Sequence, residues 1–221
     1  PKMMDAMWQQ AVAAFQLPEQ DMVELRAFLK GAAAANGGAP PRMKALDRAL
    51  KLEDMILYNS RDALRAFGCS GFTLWGDKAP DGKLVTTRNF DYPLPAKLGV
   101  EGQLIIVRHP EEGQAIASVA FPGYIGTFTG ISEAGVCVFL HDGSGAGHKR
   151  PKRRYTPVTL SLREMLRTTQ PGDAMAAATK VLADTGDYPF SYFVRVVAPR
   201  QEGQPSPPDT DYRIDATGLT N

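Results

Sequence analysis

The sequence predicts an α+β fold, on three observations. Residues up to about 67 carry apolar side chains at helical spacing. From residue 69 onward, short runs alternate apolar and polar residues between turn signals. Two further helical stretches follow, and strand-like runs close the chain. Helices, a series of mostly hairpin-connected strands, then helices and strands again fit a layered α+β domain, with the strands antiparallel.

Composition bounds the reading. The 221 residues can bury a real core, as one large domain or two small ones, and a 43% hydrophobic, 22% charged content is ordinary for a globular protein. A net charge of +1 gives no global field for nucleic acid or an anionic membrane. No apolar run approaches the roughly 20 residues that span a bilayer. Two cysteines do not make a disulfide framework. Cysteine usage leaves the compartment open, with a periplasmic or secreted location favoured over the cytoplasm.

The first helical stretch is "MDAMWQQAVAAF", with Met4, Met7, Trp8, Val12 and Phe15 roughly on one face. Pro18 ends it or opens the next, "EQDMVELRAFLKGAAAAN", where Met22, Leu25, Phe28 and Leu29 recur at helical spacing. "GGAPPR" breaks the pattern, and "MKALDRALKLEDMILYNSRDALRAF" is expected to resume it as helix. After Cys69, "SGFTLWG" and "KLVTTRNFDYP" read as strands joined by the turn "DKAPDG". "GQLIIVRHP", "QAIASVAFPG" and the two halves of "GYIGTFTGISEAGVCVFL" continue the pattern. The segment from Thr156 to Thr185 reads as two helices divided at Pro171-Gly172-Asp173, with Asp173 a candidate N-cap. "FSYFVRVVAPR" and "TDYRIDATGLTN" close the chain as strands.

Chemistry centres on "FGCSGFTLWG", where Cys69 stands at the start of a strand, straight after a glycine. A thiol is a weak nucleophile until a base or positive field favours the thiolate. A histidine partner is one route, and His109, His141 and His148 are the candidates, although no papain-like context surrounds Cys69. Cleavage before Cys69 is another route, because the freed α-amine, of pKa about 7.7–8.0, could then act as the base. Gly68 would leave the preceding peptide open to attack. In "TTRNFDYP", Arg88 and Asp91 lie three apart and do not share a face of a regular strand. A strand ending near Asn89 would bring both back toward one site; a strand-end ion pair is the plainer alternative. Gly123, Gly126 and Gly130 allow close backbone approach, and "SEAG" reads as a turn. A terminal asparagine, Asn221, carries an amide of the kind that serves as an oxyanion donor.

Taken in order, "GCSGF", "RNFD", "GYIGTFTGISEAGV" and the terminal "TN" resemble the linear-amide Ntn hydrolases. These are the choloylglycine hydrolases and, closer here, the acyl-CoA:6-aminopenicillanic acid acyltransferase (peptidase C45) type. The upstream "LEDMILYNSRDALRAFGCS" is similar to that branch's propeptide end. The resemblance spans roughly residues 50–221. It implies an αββα sandwich, with residues 1–68 a helical propeptide or α chain. Residues 69–221 would be the N-terminal part of the catalytic domain, continued by residues beyond Asn221. It implies autocatalytic cleavage between Gly68 and Cys69, with Cys69 both the cleavage and the mature nucleophile. Arg88 and Asp91 would position and polarise it, and Asn221 would donate to the oxyanion from a strand beside the Cys69 strand. An acyl-amide small molecule would be the substrate, with no metal or cofactor. A second polypeptide segment would complete the sheet, and homo-oligomerisation is left open.

Two features depart from the family pattern. Ser132-Glu133-Ala134-Gly135 stands where many relatives have Asn-Glu-Ala-Gly, so Ser132 is given no site role, and relatives continue through "TNH". A Cys/His thiol hydrolase and a non-catalytic scaffold of the same fold are the alternatives. Elsewhere, His141-Asp142 lacks companion metal ligands, "HKRPKRR" at 148–154 reads as a solvated loop, and Cys137 reads as a buried apolar residue.

Overall fold

The computed structural model describes residues 9–60, 68–91, 101–142, 154–184, 192–199, 209–215 and 218–220. Met4, Met7, Trp8, His148 and Asn221 lie outside the described residues.

Helix α1 (Glu19–Ala35) begins at Pro18, whose fixed φ suits a helix entry. Glu19 and Asp21 in its first turn face the positive end of the helix dipole. Gly37 and Gly38, at φ 72° and 92°, then turn the chain out of the helix.

The expected continuous helix from residue 43 is corrected over its first part. Arg42–Met43 (β1) pairs antiparallel with Arg48–Ala49 (β2) around a single 3₁₀ turn. Asp47 adopts a left-handed φ of 54° and pairs with Arg42, which ends any helix there. Helix α2 (Leu52–Asn59) follows, and Arg48 grips Asp54 through two hydrogen bonds of 2.7 and 2.8 Å. Buried Asn59 stitches α2 to the loop ahead of the later strands. Its Nδ2 donates to the Gly123 carbonyl at 3.0 Å and its Oδ1 accepts from the Ile125 amide at 2.7 Å.

Strands β3 (Gly68–Leu74) and β4 (Val85–Asp91) form a two-stranded antiparallel hairpin. Seven strands make a second antiparallel sheet. They are β5 (Leu104–Arg108), β6 (Ile116–Ala120), β7 (Thr129–Ser132), β8 (Cys137–Asp142), β9 (Tyr192–Val197), β10 (Asp209–Asp215) and β11 (Gly218–Thr220), in the order 11-10-9-8-7-6-5. The single run of strands read from the sequence is thus divided between two sheets.

The large sheet has two different faces. Ile116, Ser118 and Ala120 alternate with Ala117 and Val119, as period-two patterning requires. The face bearing Val138, Leu140, Val194 and Val196 packs on helix α3 (Val158–Thr168) and on helix α4 (Ala174–Asp184). Val158, Leu162, Met165 and Leu166 on α3, at i, i+4, i+7 and i+8, are fully buried there. Gly130 lets α3 come close: a Cβ at that position would lie 2.8 Å from Leu166 Cδ1 and 2.7 Å from Thr127 Cγ2. Asp173 ends a 3₁₀ turn, Pro171–Asp173, that leads into α4. The β3–β4 hairpin packs on the opposite face, over β8. Helices, a seven-stranded sheet and a second antiparallel sheet are therefore stacked as an α+β sandwich.

Helix α1 is clasped to this body by charge. Arg163 of α3 pairs with Asp21 at 3.2 Å and Glu24 at 2.7 Å, and Arg108 of β5 pairs with Glu24 at 3.0 Å. Leu25, Met55, Ile125 and Leu160 form the apolar contact beneath. Burial pushes the Asp21 carboxyl up to about 6, against the opposing pull of Arg163. No described helix is long and apolar enough to cross a membrane.

Candidate active site

The hairpin register builds the site. Cys69 stands opposite Phe90, and Gly71 opposite Arg88, so all four lie on one face of the hairpin. Arg88 is then the diagonal neighbour of Cys69, a separation that a long side chain spans. Gly71 offers no side chain opposite Arg88, which leaves the guanidinium room to lie across toward the thiol. A Cβ on Gly71 would sit 2.5 Å from the Thr87 carbonyl oxygen and 3.3 Å from Arg195 Nη1 of β9.

Arg88 makes three polar contacts. Its Nη2 donates to Cys69 Sγ at 3.0 Å and to the Leu140 carbonyl of β8, and its Nη1 donates to Thr129 Oγ1 of β7 at 2.6 Å. The third nitrogen, Nε, is buried without a hydrogen-bond partner among the described residues. The thiol of Cys69 also lies 3.7 Å from the Leu140 carbonyl oxygen. Half-burial pushes the Cys69 thiol above its ordinary value. The Arg88 charge and hydrogen bond pull it back down, as do the backbone amides of Asp142 and Asp91. Burial lowers Arg88 from its usual value, a guanidinium remaining a cation nonetheless.

Asp91 is placed differently from Arg88. Strand β4 runs on through Asp91 instead of ending near Asn89, so Asp91 falls on the other face of the hairpin. It stands opposite Gly68 and accepts from Asn89 Nδ2 at 2.8 Å. A Cβ on Gly68 would lie 3.7 Å from Asp91 Oδ2, so this carboxylate flanks the backbone just ahead of Cys69. The structure brings Cys69 and Arg88 into contact, with Asp91 beside Gly68.

The expectation that the last strand runs beside the Cys69 strand is corrected. Strand β11 pairs with β10 at the far edge of the large sheet, whereas β3 pairs with β4. Two strands, β9 and β10, separate β11 from β8, over which Cys69 sits. The "TDYRIDATGLTN" segment extends the sheet outward because β10 takes its register from β9, Tyr212 opposite Val194.

Among the histidines, His109 lines a small polar recess with Glu24, Arg108 and Arg163, away from the hairpin. His141 follows Leu140 on β8 and stands opposite Phe193. Arg88, the Leu140 carbonyl and the backbone amides of Asp142 and Asp91 surround the Cys69 thiol, with no imidazole among these partners. "SEAG" is a tight turn, with Gly135 at φ 83° and the Val136 amide donating to Ser132 Oγ.

Sequence reading missed Thr129, the Leu140 carbonyl and Phe90. The first two join the site only through packing of the hairpin on β7 and β8, which no local pattern announces. Beside the hairpin, a groove of about 940 Å³ runs over the large sheet, lined by Val85, Thr86, Val119, Thr129, Ile131 and Phe139. Ile105, Val107, Val119 and Ile131 are 76%, 57%, 45% and 44% exposed on that face. Cys137 also faces the groove, and burial pushes its thiol up to about 11.

No protein-family model matches the chain. Over 74 residues it is 28% identical to an uncharacterized protein of Archaeoglobus fulgidus, a match covering 34% of this chain and 12% of that protein. Among solved structures it is similar to the Caenorhabditis elegans N-acylethanolamine-hydrolyzing acid amidase ortholog, with a TM-score of 0.48 and 15% identity. That match covers 70% of this chain and 62% of the other. The chain thus spans less than two thirds of the length of either protein.

Proposed function

We propose that the protein is an N-terminal-cysteine amide hydrolase or acyltransferase that works through an acyl-Cys69 intermediate. The observation that carries this reading is the Arg88 Nη2 to Cys69 Sγ contact of 3.0 Å, at a strand start preceded by glycine. In the maturation step, the thiol attacks the Gly68 carbonyl. The Gly68–Cys69 peptide bond breaks as a thioester forms, and water releases Gly68 as a carboxylate. The freed Cys69 amine then takes the thiol proton when the sulfur attacks a substrate amide carbonyl. The same amine returns that proton to the departing amine, and water or a second amine takes the acyl group from sulfur. Arg88 stabilises the thiolate, and Asp91, beside Gly68, holds the new ammonium in place. The sequence motifs around these residues add independent support.

The open apolar face beside the hairpin supports a companion proposal. Further polypeptide, extended and apolar on alternate residues, covers Ile105, Val119 and Ile131 and pairs with β4, whose outer edge has no strand partner among the described residues.

The test is turnover of a panel of N-acyl amino acids, bile-salt conjugates and penicillins by the full chain, with Cys69→Ala alongside. Amine release by the wild type and none by the variant is expected. Equal release by both would overturn the assignment of Cys69. No release from any amide would favour the scaffold reading.

A further inference from the structure

We propose that Phe90 is a positioning residue that fixes the Arg88 guanidinium over the Cys69 thiol, backed by a column of aromatic rings reaching to helix α2. The guanidinium carbon of Arg88 stands 4.2 Å from the centroid of the Phe90 ring, a cation–π distance. Phe90 in turn packs on buried Phe128, centroids 5.2 Å apart, and Phe128 stacks on buried Tyr124 at 5.0 Å with an interplanar angle of 14°. Tyr124 is pinned at its far end, its hydroxyl donating to Thr159 Oγ1 at 2.9 Å. It also meets Tyr58 of α2 edge-on at 5.8 Å.

Hydrogen bonds alone leave the guanidinium underdetermined. Both of its acceptors besides sulfur, Thr129 Oγ1 and the Leu140 carbonyl, lie on the large sheet, and buried Nε has no acceptor among the described residues. A planar cation held along one edge can tilt about that edge. A ring face against its flat side removes that freedom, and the rings behind Phe90 keep Phe90 from yielding. The same strand geometry explains the choice of position. Residue 90 is directly opposite Cys69 and two residues from Arg88, so it is the side chain that touches both the thiol's surroundings and the guanidinium plane. An aliphatic side chain there would fill the volume and offer no quadrupole to the cation.

The functional meaning of this rests on Cys69 being the nucleophile proposed above, but its readout does not require turnover. The experiment measures the pH profile of Cys69 alkylation by iodoacetamide on the full chain, resolved by peptide mass so that Cys137 is scored separately. Wild type, Phe90→Leu, Phe90→Met and Phe90→Tyr are compared, alone and in an Arg88→Gln background. Circular dichroism identifies the variants that fold. We expect Phe90→Leu and Phe90→Met to slow alkylation at pH 7 about fivefold to tenfold by raising the thiol's apparent pKa, consistent with one partly desolvated cation–π contact. Phe90→Tyr keeps the ring face and should restore the wild-type profile. In the Arg88→Gln background the Phe90 substitutions should have no effect on the profile. A wild-type profile in the folded Leu or Met variant would overturn the proposal. So would a shift of equal size with Arg88 already removed, which would make Phe90 a packing residue. Loss of amide turnover with an unshifted alkylation profile would also overturn it, while leaving the proposed function standing.

Discussion

Replacing Arg88 by glutamine removes the charge and keeps most of the side chain's length. In the structure the guanidinium donates to Cys69 Sγ at 3.0 Å, inside a half-buried site. Two unit charges about 4 Å apart interact by about 1 kcal/mol in water and about 4 kcal/mol at the effective dielectric of a protein surface. The thiol is partly open to solvent, so screening holds the contribution to about 2 kcal/mol. A thiolate that loses this is disfavoured by about one to two pKa units, so alkylation of Cys69 at pH 7 should fall roughly 10- to 100-fold. The assay is the iodoacetamide rate from pH 6 to 10, read on the Cys69 peptide, with the Cys137 peptide as an internal standard that does not change. Arg88→Lys should recover only part of the effect, because an ammonium cannot bridge sulfur, Thr129 and the Leu140 carbonyl together. An unchanged profile in Arg88→Gln would refute the claim that this cation sets the thiol's ionisation.

Other substitutions test the frame and the clasp. Gly130→Ala forces a Cβ within 2.8 Å of Leu166 Cδ1 and 2.7 Å of Thr127 Cγ2. It should destabilise the protein by about 1–3 kcal/mol and lower Tm by several degrees in a thermal melt. Asp21 is raised to about 6 in the folded protein from an ordinary 3.8. Its folded form therefore holds a proton that the unfolded chain gives up between those values. The stability it contributes is complete below about pH 4 and is lost as pH rises through about 6, a change of up to about 3 kcal/mol. Asp21→Asn, facing the same Arg163, Glu24, Glu164 and Arg108, should remove this slope from urea midpoints measured between pH 4 and 7. A variant with the wild-type slope would place the titration elsewhere.

Much of the fold was legible because it is written in local pattern. The alternation in "IASVA" and "CVFLHD" announces strands with one face buried, and Val158, Leu162, Met165 and Leu166 announce the helix that covers it. The hairpin at residues 42–49 was hidden, because "MKALDRAL" has helical propensity and only the left-handed Asp47 and its pairing with Arg42 break it. The stacking of two antiparallel sheets was expected from the resemblance, but which hairpin joins which sheet was hidden, because hairpin connections give only neighbours along the chain. In the candidate site, Cys69 and Arg88 were legible from their motifs. Their diagonal placement across the hairpin depends on the register that sets Gly71 against Arg88. Leu140, 71 positions from Cys69, reaches the thiol, and Thr129, 41 positions from Arg88, reaches the guanidinium, through tertiary packing alone. The strand that was expected to carry Asn221 beside Cys69 instead follows β9 and β10 outward, because register with the neighbouring strand decides where a terminal strand lies.

The most direct test of Cys69 as a self-activating nucleophile is intact-mass spectrometry of the purified wild type beside Cys69→Ala and Cys69→Ser. A self-activating Cys69 predicts two wild-type fragments, the second beginning at Cys69, a slowly accumulating cut in the serine variant and one uncut chain in the alanine variant. Cleavage of Cys69→Ala at the same bond, or a wild-type chain that stays whole while releasing amine from an amide substrate, would contradict it.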